Sequence, residues 1–292
     1  MVRNEQNLPY MKRTVMLLLL IAVLSESLSA QNPYNPIPLW EWDKEEVLEN
    51  SIIRVEYTMN FYGVTGKEER CTDRRIVEIG PKVRKDYSIT LEAKEKDNYK
   101  VSKEGGNPST RLSTDVYPFE LFVYNDGTTR CNHRTLLTGP ILQFSESIPA
   151  FDWKIGNETI EVAGYSSRKA TVSFGGREWT AWFAEDIPVN GGPYKFCGLP
   201  GLITKVASND GSYEWTMTGI EQTAVPIYEK QFVFRKCSAK EAKALIKDMY
   251  AHPYKFLSNA GVRTLVRDKN GRLIPPGSEQ DGISLFYDPI EL

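Results

Sequence analysis

From Ile53 to Phe61 the chain alternates without a break. Ile53, Val55, Tyr57, Met59 and Phe61 are apolar, and Arg54, Glu56, Thr58 and Asn60 between them are polar. Successive side chains of a strand point to opposite faces, whereas a helix repeats every 3.6 residues, so strict period two buries an apolar face only as a β-strand. Shorter stretches of strand character recur at 75–79, 87–91, 119–124, 128–135, 159–163, 170–174, 178–183, 202–207 and 213–220. Asn125-Asp126-Gly127, Gly175-Gly176 and Asp210-Gly211 stand between neighbours. Such residues tolerate the positive φ that tight hairpins require. Closely spaced strands with tight turns imply an antiparallel meander rather than βαβ units. The expected fold is mainly β (α+β): a curved antiparallel sheet or open half-barrel with one C-terminal amphipathic helix.

That helix is expected to begin after Ser238. Ser238 and Glu241 have capping-box spacing, Ala242, Leu245, Ile246 and Met249 share one face, and Pro253 stops the run. Elsewhere, 31–42 is rich in proline and aromatics and should be extended, and the charged stretch 43–50 suggests a short helical turn. The polar stretch 92–111, with Gly105, Gly106 and Pro108, reads as a long loop. Residues 268–281 are polar and rich in Gly and Pro, a surface tail before the apolar ending 283–292. No composition break divides residues 31–292, which are expected to form a single domain with a polar tail over about 268–292.

The first thirty residues have the three parts of a secretory signal peptide. Lys12 and Arg13 form a positive region, 15–24 an apolar core, and 25–30 a small, polar exit ending at Ala30. Ten apolar residues span about 15 Å as a helix, roughly half a bilayer core, too short for a retained anchor. No other stretch approaches eighteen apolar residues, so no helical span is expected in the mature form. Cleavage after Ala30 would leave 33 basic and 36 acidic residues of the 36 and 38 in the full sequence. That balance leaves no basic footprint for nucleic acid or anionic lipid. Cys71, Cys131, Cys197 and Cys237 all lie in the mature part. An even number in an exported chain suggests disulfides; pairing local neighbours would give Cys71–Cys131 and Cys197–Cys237, one of three connectivities.

The densest signature runs from Gly164 to Ile203. It reads Gly164-Tyr165, Arg168-Lys169-Ala170-Thr171, Phe174-Gly175-Gly176-Arg177, Trp179-Thr180-Ala181-Trp182-Phe183, Ile187-Pro188-Val189 and Gly192-Pro193-Tyr194-Lys195-Phe196. It closes on Gly198-Leu199-Pro200-Gly201-Leu202-Ile203. This run resembles the GLPGLI family, an uncharacterised group of exported proteins of Gram-negative bacteria. Looser resemblance extends to the first strand, the capped helix and the closing Pro289-Ile290-Glu291-Leu292. The resemblance implies export to the periplasm or beyond and a β-rich fold, and it supplies no catalytic residues.

Pro200 presets φ and Gly201 accepts φ > 0, which suits the two central positions of a type II turn, with Leu199 and Leu202 packing toward the core. The hexapeptide is thus expected to be structural. A binding surface is expected from Arg177, Trp182, Tyr194, Lys195 and Phe196.

Chemistry is thin. Only His133 and His252 exist in the sequence. Nucleophilic catalysis needs a histidine beside its nucleophile, and a metal site usually needs several His or Cys ligands. Cys131 and His133 would share one strand face. Glu185 and Asp186 beside the motif face opposite ways if they lie on a strand. No phosphate-binding loop precedes a helix. No cofactor or metal is implied. The function expected is that of an exported, non-catalytic envelope protein binding a peptide, lipid or glycan or supporting an outer-membrane machine. The alternative is an envelope hydrolase using carboxylates or Cys131/His133.

Overall fold

In a computed structural model, residues 44–106, 116–136, 139–259, 266–267, 270–274 and 282–292 are described. The expected signal peptide and its cleavage site, the segment 31–42 expected to be extended, and most of the polar stretch 268–281 lie outside the described residues.

The alternating segment forms β2 (Ile53–Tyr62), with every second residue buried. On one side it pairs with β3 (Arg70–Ile79), followed by β4 (Val83–Ser88), β5 (Phe119–Tyr124), β6 (Thr128–Arg134) and β7 (Ile141–Ser147). On the other side it pairs with β12 (Glu214–Gln222), followed by β11 (Leu202–Ser208), β10 (Arg177–Ala184), β9 (Tyr165–Phe174) and β8 (Lys154–Val162). A short β14 (Phe234–Lys236) runs parallel to β7, giving one open sheet of twelve strands whose other pairings are antiparallel. β1 (Glu45–Asn50) and β13 (Pro226–Lys230) form a separate two-stranded ribbon, as do β15 (Val266–Arg267) and β16 (Leu273–Ile274). The mainly β expectation is met.

The inner face of the sheet carries the main core. Tyr57, Met59, Trp179, Ala181, Phe183, Val206 and Trp215 are fully buried there. Helix α2 (Ala239–Ala251) packs on this face beside β7 and buries Ala242, Ile246, Met249 and Tyr250. The Ser238 hydroxyl accepts from the Glu241 N–H at 3.2 Å, while the Glu241 carboxylate pairs with Arg235 rather than returning to the cap. Pro253 both ends this run and opens α3 (Pro253–Asn259), since its missing N–H is no loss in a first turn.

The outer face of β3–β6 is charged and covered. Helix α1 (Ile89–Lys103) lies over it and β13 beside it. Arg134 makes a two-pronged ion pair with Glu95 of α1 at 2.8 and 3.0 Å, and Lys85 pairs with Glu120 at 3.0 Å. This corrects two expectations. Residues 92–103 of the stretch read as a loop are helix, capped by Ser88, whose hydroxyl accepts from Leu91 N–H at 3.1 Å, and residues 107–111 of it lie outside the described residues. Residues 45–50 are a strand rather than a helical turn. Both escaped a pattern search because they rest on charged neighbours and show no apolar stripe.

A second buried charge group sits on the inner side. The fully buried Arg75 donates to Asp86 at 2.7 Å, and its guanidinium lies 3.2 Å from Asp73. It also donates to the carbonyls of Tyr117 and Phe119. The other oxygen of Asp86 accepts from the Tyr194 N–H at 2.7 Å and so ties β4 to the loop ahead of the hexapeptide.

Candidate functional site

The hexapeptide forms a corner between β10 and β11. Leu199, Leu202 and Ile203 are buried, and Pro200 is exposed. The expected type II turn is not what forms. The Gly201 N–H donates to the Leu199 carbonyl at 2.9 Å, a three-residue turn centred on Pro200, and Leu202 N–H goes to Ile187 instead. The proline's fixed φ suits that tighter bend. Gly201 has φ +154°, and a Cβ placed on it would lie 2.2 Å from the Ala184 carbonyl oxygen. Gly201→Ala is therefore expected to cost about 2–5 kcal/mol through backbone strain and overpacking. A denaturant midpoint equal to the parent's would refute this reading of the corner.

The five residues expected to form a binding surface do not lie on one. Phe196 is fully buried in an aromatic cluster, its ring 4.9 Å from Trp179 and 6.3 Å from Trp215. Trp182 is half-buried on the opposite face of β10, with the Lys169 ammonium 5.9 Å from its ring centre. Arg177, Tyr194 and Lys195 do converge, and what they grip is the chain's own segment 286–292. Arg177 binds the Asp288 carboxylate, the Pro289 carbonyl at 2.8 Å and the Ile290 carbonyl at 3.2 Å, while also pairing with Asp210. Lys195, only 2% exposed, pairs with Glu291 and with Glu146 of β7, the latter at 2.6 Å. Lys243 of α2 reaches the same two carboxylates at 3.1 and 3.0 Å. The Tyr194 hydroxyl donates to Glu291 as well. Tyr194 sits at φ +54°, uncommon for a residue with a Cβ, and is fixed there by Asp86 on its N–H and Arg84 on its carbonyl.

Next to this ionic group lies a cavity of about 710 Å³. Phe61, Leu121 and Phe144 form its sheet wall, Ile246 and Tyr250 its α2 wall, and the closing segment from Phe286 onward its third side. Cys131 and His133 also line it from one face of β6. Burial pushes the Cys131 thiol up to about 12 and, together with the neighbouring Arg134 charge, the His133 imidazole down to about 3. At neutral pH one is therefore a thiol and the other an uncharged ring, and neither is an activated nucleophile or a charged acid. Burial pushes Glu291 up, but Lys195, Tyr194 and Lys243 outweigh it and hold the carboxyl below its usual range. Glu185 and Asp186 are exposed, away from this site.

The expected disulfides are absent: no two of the four cysteines are joined. Cys71 on β3 and Cys131 on β6 are three strand steps apart, roughly 14 Å at ordinary strand spacing, too far to bridge. Cys197 lies in the loop before the hexapeptide, where its carbonyl accepts from Trp153, and Cys237 follows β14 at the far edge of the sheet. Among the described residues, no group of three or more His, Cys, Asp or Glu side chains is placed to hold a metal.

Sequence reasoning missed Glu146, Lys243 and Asp288. They come from β7, α2 and the end of the chain, and no local pattern links them.

A family model described as "Protein of unknown function (Porph_ging)" matches residues 174–205, from the end of β9 through the hexapeptide into β11. No curated protein matches the chain. Among solved structures it is similar to "Structure of PNGF-II in P21 space group", at 16% identity and TM-score 0.46, over 69% of this chain and 34% of that one. It is also similar to "Structure of PNGF-II in C2 space group", at 15% identity and TM-score 0.46, over 69% and 33%. The chain spans about a third of the length of these two.

Proposed function

We propose that the protein is an exported, non-catalytic binding protein of the cell envelope, periplasmic or secreted, which takes its ligand into the cavity under α2 and the closing segment. The observation that carries this reading is the cavity itself. Its volume of about 710 Å³ falls in the range of small-molecule sites, and its walls are mostly aromatic and aliphatic. An apolar body with one ionic end fits a lipid or an apolar peptide better than a glycan, which needs hydrogen-bonding groups throughout. The hydrolase alternative is disfavoured by the charge state of the candidates. The Glu146 and Glu291 carboxylates are both occupied by Lys195 and Lys243, and Cys131 and His133 stay uncharged.

We further propose that the open sheet curls into a half-barrel around this face. Four strand steps separate β8 from β12, about 19 Å in a flat sheet, yet Cα atoms of the two come within 8 Å. Bulges at Trp182/Phe183 in the β10–β11 pair and at Ile155/Thr159 in β8 supply the bend. Purification from the envelope fraction without detergent, followed by mass spectrometry of the bound compound, tests the binding role.

A further inference from the structure

The segment 286–292 is held in the way a receptor holds a peptide. Leu292 N–H donates to the Gly175 carbonyl at 2.7 Å, and Phe286 N–H donates to the Val64 carbonyl at 2.9 Å. Arg177 reads two carbonyls and the Asp288 carboxylate, Lys195 and Lys243 read Glu291, and Ile290 is 4% exposed. Tyr213 donates its hydroxyl to the Asp288 carbonyl, and Tyr287 stacks on Tyr250 with ring centres 4.6 Å apart. Main-chain bonds for affinity with side-chain seats for selectivity are the pattern of extended-peptide recognition.

The seat is also shaped for its occupant. Gly175 and Gly176 make the β9–β10 turn at φ +57° and +76°. A Cβ on Gly175 would lie 2.8 Å from the Glu291 side chain, and one on Gly176 would lie 2.9 Å from Leu292. The Phe174-Gly175-Gly176-Arg177 and Tyr194-Lys195 parts of the signature thus build a groove for an acidic strand.

We propose that this groove is a peptide-binding site for an extended segment of the pattern Asp-Pro-Ile-Glu-Leu supplied by another polypeptide, and that residues 288–292 occupy it as an internal pseudo-ligand. The three cations facing the two carboxylates select for charge, and the buried isoleucine seat selects for one aliphatic side chain. The inference rests on the reading of the chain as a binding protein and names the ligand class for the edge of that cavity. The chain carries its own control: Tyr34-Asn35-Pro36-Ile37-Pro38-Leu39 repeats the Tyr-Asx-Pro-Ile-x-Leu pattern of 287–292 without either carboxylate.

The test uses the full-length chain and the full-length double variant Asp288→Asn/Glu291→Gln, in which the internal segment competes less. A fluorescein-labelled, end-blocked peptide Tyr-Asp-Pro-Ile-Glu-Leu is titrated and read by anisotropy. Saturable binding at least tenfold tighter to the double variant than to the parent is expected, because a tethered competitor acts at millimolar effective concentration. Binding of Tyr-Asn-Pro-Ile-Pro-Leu at least tenfold weaker, and a similar loss when Lys243→Ala is added, complete the expected result. Lys243 is half exposed, so its removal is expected to leave the fold intact, which circular dichroism checks. Absence of saturable binding to a folded double variant, or equal binding of the two peptides, overturns the proposal. An apolar dye titrated into the same samples separates the two readings: dye uptake without peptide binding rejects the groove and leaves the cavity.

Discussion

Arg75→Met is expected to destabilise the protein by about 3–5 kcal/mol, because it strands two carboxylates that have almost no contact with water. Asp73 and Asp86 are both fully buried, and Arg75 is the cation that bridges them. Burial already pushes Asp73 above its usual range, with the Arg75 charge the leading force pulling it down. The damage should spread to the site, since Asp86 also holds the Tyr194 N–H, and Tyr194 holds Glu291. A urea or guanidinium midpoint for the variant measures the loss. A change below 1 kcal/mol would mean that the charge group is not assembled as described.

Acid should destabilise the protein through His133. Its folded pKa is depressed by burial to about 3, while the unfolded chain takes up the proton near 6.5. The unfolded state therefore binds more protons below pH 6.5. The stability contributed by the neutral ring is fully present above that pH and is lost as the pH falls toward 3. Between pH 6.5 and 4 the loss is about 3 kcal/mol at 1.36 kcal/mol per unit. The Nε2 atom is buried without a hydrogen-bond partner, so His133→Leu should be neutral or stabilising at pH 7. The variant should also lose about 3 kcal/mol less than the parent between pH 7 and pH 4. Parallel stability curves for the two proteins would show that His133 titrates normally in the folded state.

What the sequence made legible was whatever rests on a repeating contrast between apolar and polar residues. β2 was readable because one of its faces meets the core and the other water, and the β5–β6 and β9–β10 hairpins because their turns demand Asp-Gly or Gly-Gly. Helix α2 announced itself through Ser238 and one apolar stripe. α1 did not, because it lies on Arg134 and other charged groups of the outer face, where polar residues are the buried ones. β8 is an edge strand exposed along most of its length, and only its end from residue 159 reads as strand; β1 pairs, among the described residues, only with β13, so neither needs alternation.

The site divides the same way. The residue types of Arg177, Tyr194 and Lys195, together with Trp182 and Phe196, suggest a binding surface. The internal partners of the first three, Glu146, Asp288 and Glu291, lie far off in the sequence, from 49 residues for Lys195 and Glu146 to 111 for Arg177 and Asp288. Only the folded chain shows that the cations face inward, and that the signature's glycines leave room for residues 291 and 292.

The central claim is that the cavity holds a ligand and performs no chemistry on it. Native mass spectrometry of protein purified from the envelope tests that claim most directly, alongside the variant Ala244→Trp. Ala244 is a small, exposed residue at the α2 side of the cavity, so the indole can enter the space without displacing the core. The expected result is a parent mass exceeding that of the polypeptide by one bound compound, released unchanged on denaturation, and a variant that comes without it. A parent with the bare polypeptide mass, or a compound that the protein converts on incubation while Ala244→Trp does not, would contradict the account.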